Sequence, residues 1–226
     1  MAYTMASLEI HGYRDEQVPN TFFRQQESFD NLAIVLPGFA YTCDMPLLYY
    51  PVLSMLDLDA DVLQVEYAYY HRENYRELTD DERAQWLFAD VTAACDAALP
   101  QRAYAGVTLI GKSIGTRALG HLLSTDARLN HARAVWLTPL LRNAQLRTQM
   151  QGGKWSSLFV IGTADPHYDA TLLAEVQEAT GGDAVVIEGA DHSLEIAGNL
   201  LASLDALMQV VRAFRKFLGV SEGSVT

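Results

Sequence analysis

Short apolar runs alternate along this chain with longer segments whose apolar positions recur every three or four residues. Residues 32–36 (LAIVL) form a continuous apolar run that stops at Pro37-Gly38, which predicts a buried strand. Residues 61–66, 106–110, 132–137, 157–161 and 184–187 repeat that signature. Helical spacing fills the intervals. One helix is predicted from Asp44, a candidate N-cap, to about Leu56, and a second over 80–99, stopped by Pro100. Others cover 113–123, about 169–180 (ended by Gly181-Gly182) and 194–218. Residues 7–13 and 21–26 read as an antiparallel opening pair. The pattern predicts a single α/β domain over residues 1–226. It has a mostly parallel, twisted sheet of about eight strands, helices on both faces and antiparallel N-terminal strands. In such sheets ligands bind at the carboxyl edge, so polar residues just after strands are the candidates for chemistry.

Four such stations stand out. Residues 111–115 (GKSIG) follow the strand GVTLI, open a helix and fit G-x-S-x-G. The strand-to-helix turn is so sharp that glycines two positions either side of Ser113 relieve crowding and leave its hydroxyl projecting. Free N–H groups at the helix start, Ile114 first, can receive a developing oxyanion. The strand SLFVI ends in GTADP, placing Asp165 on an edge loop as candidate acid. The last strand leads to GADHS, placing His192 as candidate base. His167 beside the acid, His71 after the strand DVLQVE, and His121 two turns into a helix are the competing histidines; Asp191 is the weaker competing acid. The loop after LAIVL reads PGFAY, and the Phe39 N–H is the candidate second oxyanion donor. Tyr41, Tyr67 and Trp136 lie near the same edge and are candidates to line a substrate pocket.

Residues 106–113 (GVTLIGKS) also match G-x-x-x-x-G-K-[ST], the phosphate-binding P-loop. Against nucleotide binding, the middle residues VTLI are strand sequence rather than loop, no buried strand precedes Gly106, and no later strand ends in a magnesium-binding acid.

Composition narrows the partners. Half of the 226 residues are apolar, 19% are charged, and the formal net charge is −12. An acidic surface is repelled by phosphate backbones and anionic membranes, so neither nucleic acid nor membrane is expected as a partner. Cys43 and Cys95 lack metal-binding spacing, and two free thiols in a reducing compartment is the preferred reading over a single bridge. Residues 1–11 lack secretory character and no apolar run reaches the roughly 18 residues of a membrane span, so a cytoplasmic location is expected. No cofactor or metal is called for, and oligomeric state has no signature in the sequence.

PGFAY, GKSIG, GTADP and GADHS together resemble the α/β-hydrolase superfamily, over essentially residue 32 to the C-terminus. The likeness is to its small lidless members, including dienelactone-hydrolase-like proteins. It implies a triad of Ser113, Asp165 and His192, oxyanion donors Phe39 and Ile114, and hydrolysis of a small carboxylic ester, thioester or lactone. A catalytically silent binding protein on the same fold is the alternative. Residues 139–156, where this family often inserts a lid, leave room for one short helix and no large lid. Dienelactone hydrolases carry Cys where this chain has Ser113, and Lys112 stands where His, Glu or Tyr is frequent; Lys112 is expected to be exposed and silent, with recognition of an anionic substrate as its alternative.

Overall fold

The computed structural model describes residues 2–27, 30–67 and 69–220. Eight strands form one sheet: β1 (Tyr3–Ala6), β2 (Asn20–Gln25), β3 (Asn31–Leu36), β4 (Asp61–Val65), β5 (Gly106–Lys112), β6 (Arg133–Leu137), β7 (Ser156–Gly162) and β8 (Asp183–Ile187). Their spatial order is β1-β2-β4-β3-β5-β6-β7-β8. The pairs β1–β2 and β2–β4 are antiparallel; β4 through β8 run parallel. Side chains alternate faces along each strand. In β3, Leu32, Ile34 and Leu36 join one core while Ala33 and Val35 join the other.

Helices cover both faces. α1 (Pro46–Asp57) and α6 (Leu200–Phe217) pack on one side; α2 (Asp80–Ala98), α3 (Ile114–Thr125), α4 (Ala144–Gln151) and α5 (Ala170–Thr180) pack on the other. α2 begins with a reciprocal cap: Thr79 Oγ1 accepts from the Glu82 N–H and Glu82 Oε2 accepts from the Thr79 N–H. Between β6 and β7 lies only α4, so no large lid covers the carboxyl edge.

Three sequence expectations shift. The first strand is Tyr3–Ala6, not residues 7–13. There the Asn20 side chain takes both polar groups of the Leu8 backbone, and Arg14 and Asp15 turn the chain at positive φ, so alternating residues do not extend a ladder. Met45, not Asp44, holds the N-cap position of α1, without a side-chain capping bond, and Pro46 at the first helical position fixes the start. The closing helix starts at Leu200 rather than Leu194. Leu194 (φ 59°) and Gly198 (φ 72°) take left-handed backbone, and Asn199 caps the helix through the Ala202 N–H.

Candidate active site

β5 lies centrally, between β3 and β6, and its carboxyl end turns directly into α3. Ser113 sits at the turn with φ 55° and ψ −116°, a conformation in which a Cβ is strained. Both flanking glycines are needed there. A Cβ on Gly111 would stand 2.5 Å from the Gly115 carbonyl, and one on Gly115 would run into the carbonyl of Leu36. The strained turn is tied down on both sides. Ser113 N–H donates to Leu137 O at 3.0 Å, and Thr116 Oγ1 donates to Ser113 O at 2.6 Å.

Two further edge loops deliver the acid and the base. The loop after β7 carries Asp165, and the loop after β8 carries His192. Ala164 N–H donates to Ala190 O (2.9 Å) and Gly189 N–H to Thr163 Oγ1 (2.8 Å), so the two loops are bound to each other. Arg142 Nε fixes the acid loop from the α4 side by donating to Pro166 O at 2.9 Å. His192 Nδ1 lies 2.7 Å from Asp165 Oδ2, and His192 Nε2 lies 2.9 Å from Ser113 Oγ. The ionised carboxylate can only accept, so Nδ1 bears the proton, Nε2 is the acceptor, and the serine hydroxyl donates to it. Burial pushes the Asp165 carboxyl up, but the hydrogen bonds from His192 and from the His167 N–H (2.8 Å) outweigh it and hold the group below its ordinary value.

The third loop follows β3. Gly38 N–H donates to Tyr41 O, folding the loop back over the serine; a Cβ on Gly38 would lie 3.5 Å from Ser113 Cβ. Among the described residues no acceptor lies on the Phe39 N–H, and Ile114, first in α3, has no helical acceptor for its own. The loop rests on aromatics: Tyr67 Oη donates to Pro37 O at 2.9 Å, and the Phe39 ring packs against Tyr70 and Tyr75. A serine hydroxyl poised on an imidazole, beside two available N–H groups, can add to a carbonyl and have the resulting oxyanion received.

The sequence of residues 44–219 matches the family described as alpha/beta hydrolase domain. The chain belongs to the alpha/beta hydrolase family. Solved structures share its fold at low identity. Est1E from Butyrivibrio proteoclasticus, solved with ferulic acid bound, is 13% identical with a TM-score of 0.70, over 94% of this chain and 98% of that one. A Pyrococcus furiosus esterase is 14% identical with a TM-score of 0.66, over 96% and 92%. A lidless serine hydrolase from Xanthomonas campestris is 15% identical with a TM-score of 0.63, over 95% and 94%. No curated protein matches the sequence.

In this alpha/beta hydrolase several sequence expectations fail. Lys112 is not on the surface: it is 2% exposed, its Nζ donates to His192 O at 3.1 Å and lies 4.6 Å from the centre of the Tyr41 ring. Trp136 is buried in the sheet, its indole N–H donating to Ser157 Oγ, and has no surface to give a substrate. Tyr67 is buried too and props the Pro37 carbonyl instead. Tyr41 alone of the three reaches cavities, one of about 710 Å³ beside the His192 loop and one of about 140 Å³ beside Phe39 that His71 also lines. The P-loop reading fails because Gly106–Lys112 is a strand whose backbone is paired with β3 and β6, leaving no N–H groups to wrap a phosphate. His167 contributes its backbone N–H to Asp165, His121 stacks on Phe88, and Asp191 accepts from Ser193 and Glu195 N–H in its own turn. Cys43 and Cys95 are buried free thiols. Among the described residues no cluster is placed to hold a metal ion, and no helix is long and apolar enough to cross a membrane.

Burial pulls the Lys112 ammonium down to about 8, with Asp165 and Asp191 opposing it. The charged form is therefore disfavoured by folding below pH 8, and that penalty fades as pH rises from 8 towards the ordinary value of 10.5. Met of similar shape carries no such penalty. Lys112→Met is expected to lose roughly 3 kcal/mol of stability relative to the parent between pH 8 and 10.5. Denaturant unfolding of both proteins across that range checks this, and a pH-independent difference refutes it.

Proposed function

We propose that the chain is a serine hydrolase acting on a small carboxylic ester, or the related thioester or lactone, through an acyl-enzyme on Ser113. One observation carries this reading: the hydrogen-bonded line from Ser113 Oγ through the His192 imidazole to Asp165, assembled from three loops remote in sequence. His192 Nε2 takes the hydroxyl proton as Oγ adds to the substrate carbonyl carbon. The Phe39 and Ile114 N–H groups receive the negative oxygen, and Asp165 stabilises the imidazolium. The carbon–leaving-group bond breaks as Nε2 returns the proton to the departing alcohol. Water, deprotonated by the same nitrogen, then releases the acid and restores Ser113. The esterases among the structural neighbours point the same way.

The test is covalent. A fluorophosphonate is expected to modify the folded protein once, with the adduct located on Ser113 by peptide mass, and to block turnover of p-nitrophenyl acetate in parallel. A folded protein that takes no label and turns over none of a panel of esters is a binding protein on a hydrolase fold.

A further inference from the structure

Among the described residues nine large apolar side chains are exposed, and four of them, Tyr50, Leu200, Leu204 and Met208, line two adjoining hollows. Met45, Tyr49 and Tyr50 stand at the start of α1; Leu200, Leu201, Leu204 and Met208 stand on the first half of α6. α6 thus has two apolar stripes. Ala206, Val210 and Phe214 pack into the core, while Leu200, Leu204 and Met208, each four residues apart, face outward. A monomeric surface seldom keeps an apolar patch of this kind without a use for it.

The patch is continuous with the catalytic loops. The 710 Å³ cavity is lined by Tyr41, by Asp191, Ser193 and Leu194 on either side of His192, and by Leu204 and Leu207 of α6. The same two leucines wall a second, largely apolar hollow of about 490 Å³ that continues to Tyr50, Met208 and Val211, with Arg212 as the one charged residue in its lining. From Leu200 to Val211 the trough follows about 16 Å of helix. The 710 Å³ cavity has Asp191 and Glu195 in its lining and neither lysine nor arginine there. Two carboxylates outnumber the one nearby ammonium, that of Lys112 beside Asp191, and so disfavour an anionic ligand and tolerate a neutral one.

We infer that this trough between α1 and α6 holds the apolar arm of a neutral ester, a long alkyl or acyl chain, whose carbonyl sits at Ser113. The inference rests on the reading of Ser113 as nucleophile and adds the class of substrate. The reacting end lies at the His192 loop, where Ser193 and Leu194 pass from the catalytic histidine into the wall of the trough. The acidic lining opposes re-entry of a free carboxylate product.

The experiment compares p-nitrophenyl acetate with p-nitrophenyl octanoate, below its aggregation limit, for the parent, Leu200→Glu and Leu204→Glu. Both positions are more than half exposed, so neither change disturbs the core. The expected result is a fall of at least about tenfold in kcat/KM for the octanoate, with acetate turnover unchanged. An unchanged octanoate-to-acetate ratio in both variants overturns the inference. 1-Octanol, which has no scissile bond, tests the trough apart from catalysis: it should raise the Tm of the parent and not of Leu204→Glu, and equal shifts overturn it. Absence of fluorophosphonate labelling, by contrast, strikes the hydrolase reading and leaves the octanol result to judge the trough. Sedimentation closes the last route: a parent dimer that Leu204→Glu dissociates without altering the ester ratio assigns this face to a second copy and overturns the inference.

Discussion

Ser113→Ala is expected to lower kcat on any ester the protein turns over by about a millionfold and to abolish fluorophosphonate labelling, with the fold intact. The loss is that large because the hydroxyl, the imidazole and the carboxylate act as a unit, so removing the nucleophile also idles its partners. Activity remaining above the uncatalysed rate would come from the two N–H donors and from binding. Retention of more than about a hundredth of parent turnover would place the chemistry elsewhere and sink the assignment. The backbone supplies an internal control. Ser113 holds a φ of 55° that disfavours every side chain. Ser113→Gly should be as inactive as the alanine variant yet more stable than the parent by roughly 1 kcal/mol, since glycine adopts that conformation without its Cβ clash. Circular dichroism and denaturant unfolding of the three proteins separate loss of chemistry from loss of structure. Inactivity joined to higher stability would mean that the strain at this turn serves the hydroxyl's position and nothing in the fold requires it.

The positions of the candidate site residues are legible in the sequence because each follows a predicted strand. LAIVL, GVTLI and SLFVI are apolar on both faces, as buried parallel strands must be, so the residues just beyond them fall at one edge whatever their type. What lay out of reach was set by register and by residue type pulling opposite ways. Lys112 reads as a surface residue, yet it continues the face of Ile110, which packs under α1 and α6, and that face is roofed by Tyr41 and the His192 loop. The period-two alternation along β5 carries that information: position, not charge, sets the face on which Lys112 lies. Trp136 erred the opposite way. It precedes the last residue of β6 by one place, enough to turn its ring inward onto Phe159. The apolar spacing of residues 194–199 fits the closing helix, but the turn that Asp191 organises by accepting from Ser193 and Glu195 N–H holds them out. That turn is also what makes the cavity beside His192, so the feature hardest to foresee is the one that shapes the proposed substrate site.

Asp165→Asn is expected to cost about ten-thousandfold in kcat while leaving KM and the fold nearly unchanged. The argument is one of hydrogen-bond direction. Asp165 Oδ1 accepts from the His167 N–H at 2.8 Å, and an asparagine keeps that bond only by placing its amide oxygen there. The amide NH2 must then face His192, where Oδ2 now accepts from Nδ1 at 2.7 Å. Two donors cannot meet, so the imidazole moves its proton to Nε2, and that nitrogen can no longer take the proton of Ser113. Rescue by the acid loop is blocked, because Arg142 at Pro166 O and the bonds to the histidine loop hold its backbone in place. Fluorophosphonate labelling should slow in proportion to kcat, since both begin with attack by the serine oxygen. Acid sensitivity gives an independent check. The Asp165 carboxyl is held below its ordinary value in the folded protein, so the stability it contributes is present above the unfolded value and disappears as pH falls through the folded one. The asparagine variant lacks that contribution at every pH. Its stability should therefore approach that of the parent as the solution is acidified below pH 4, and a gap that stays constant would show that the carboxylate is not charged in the native site.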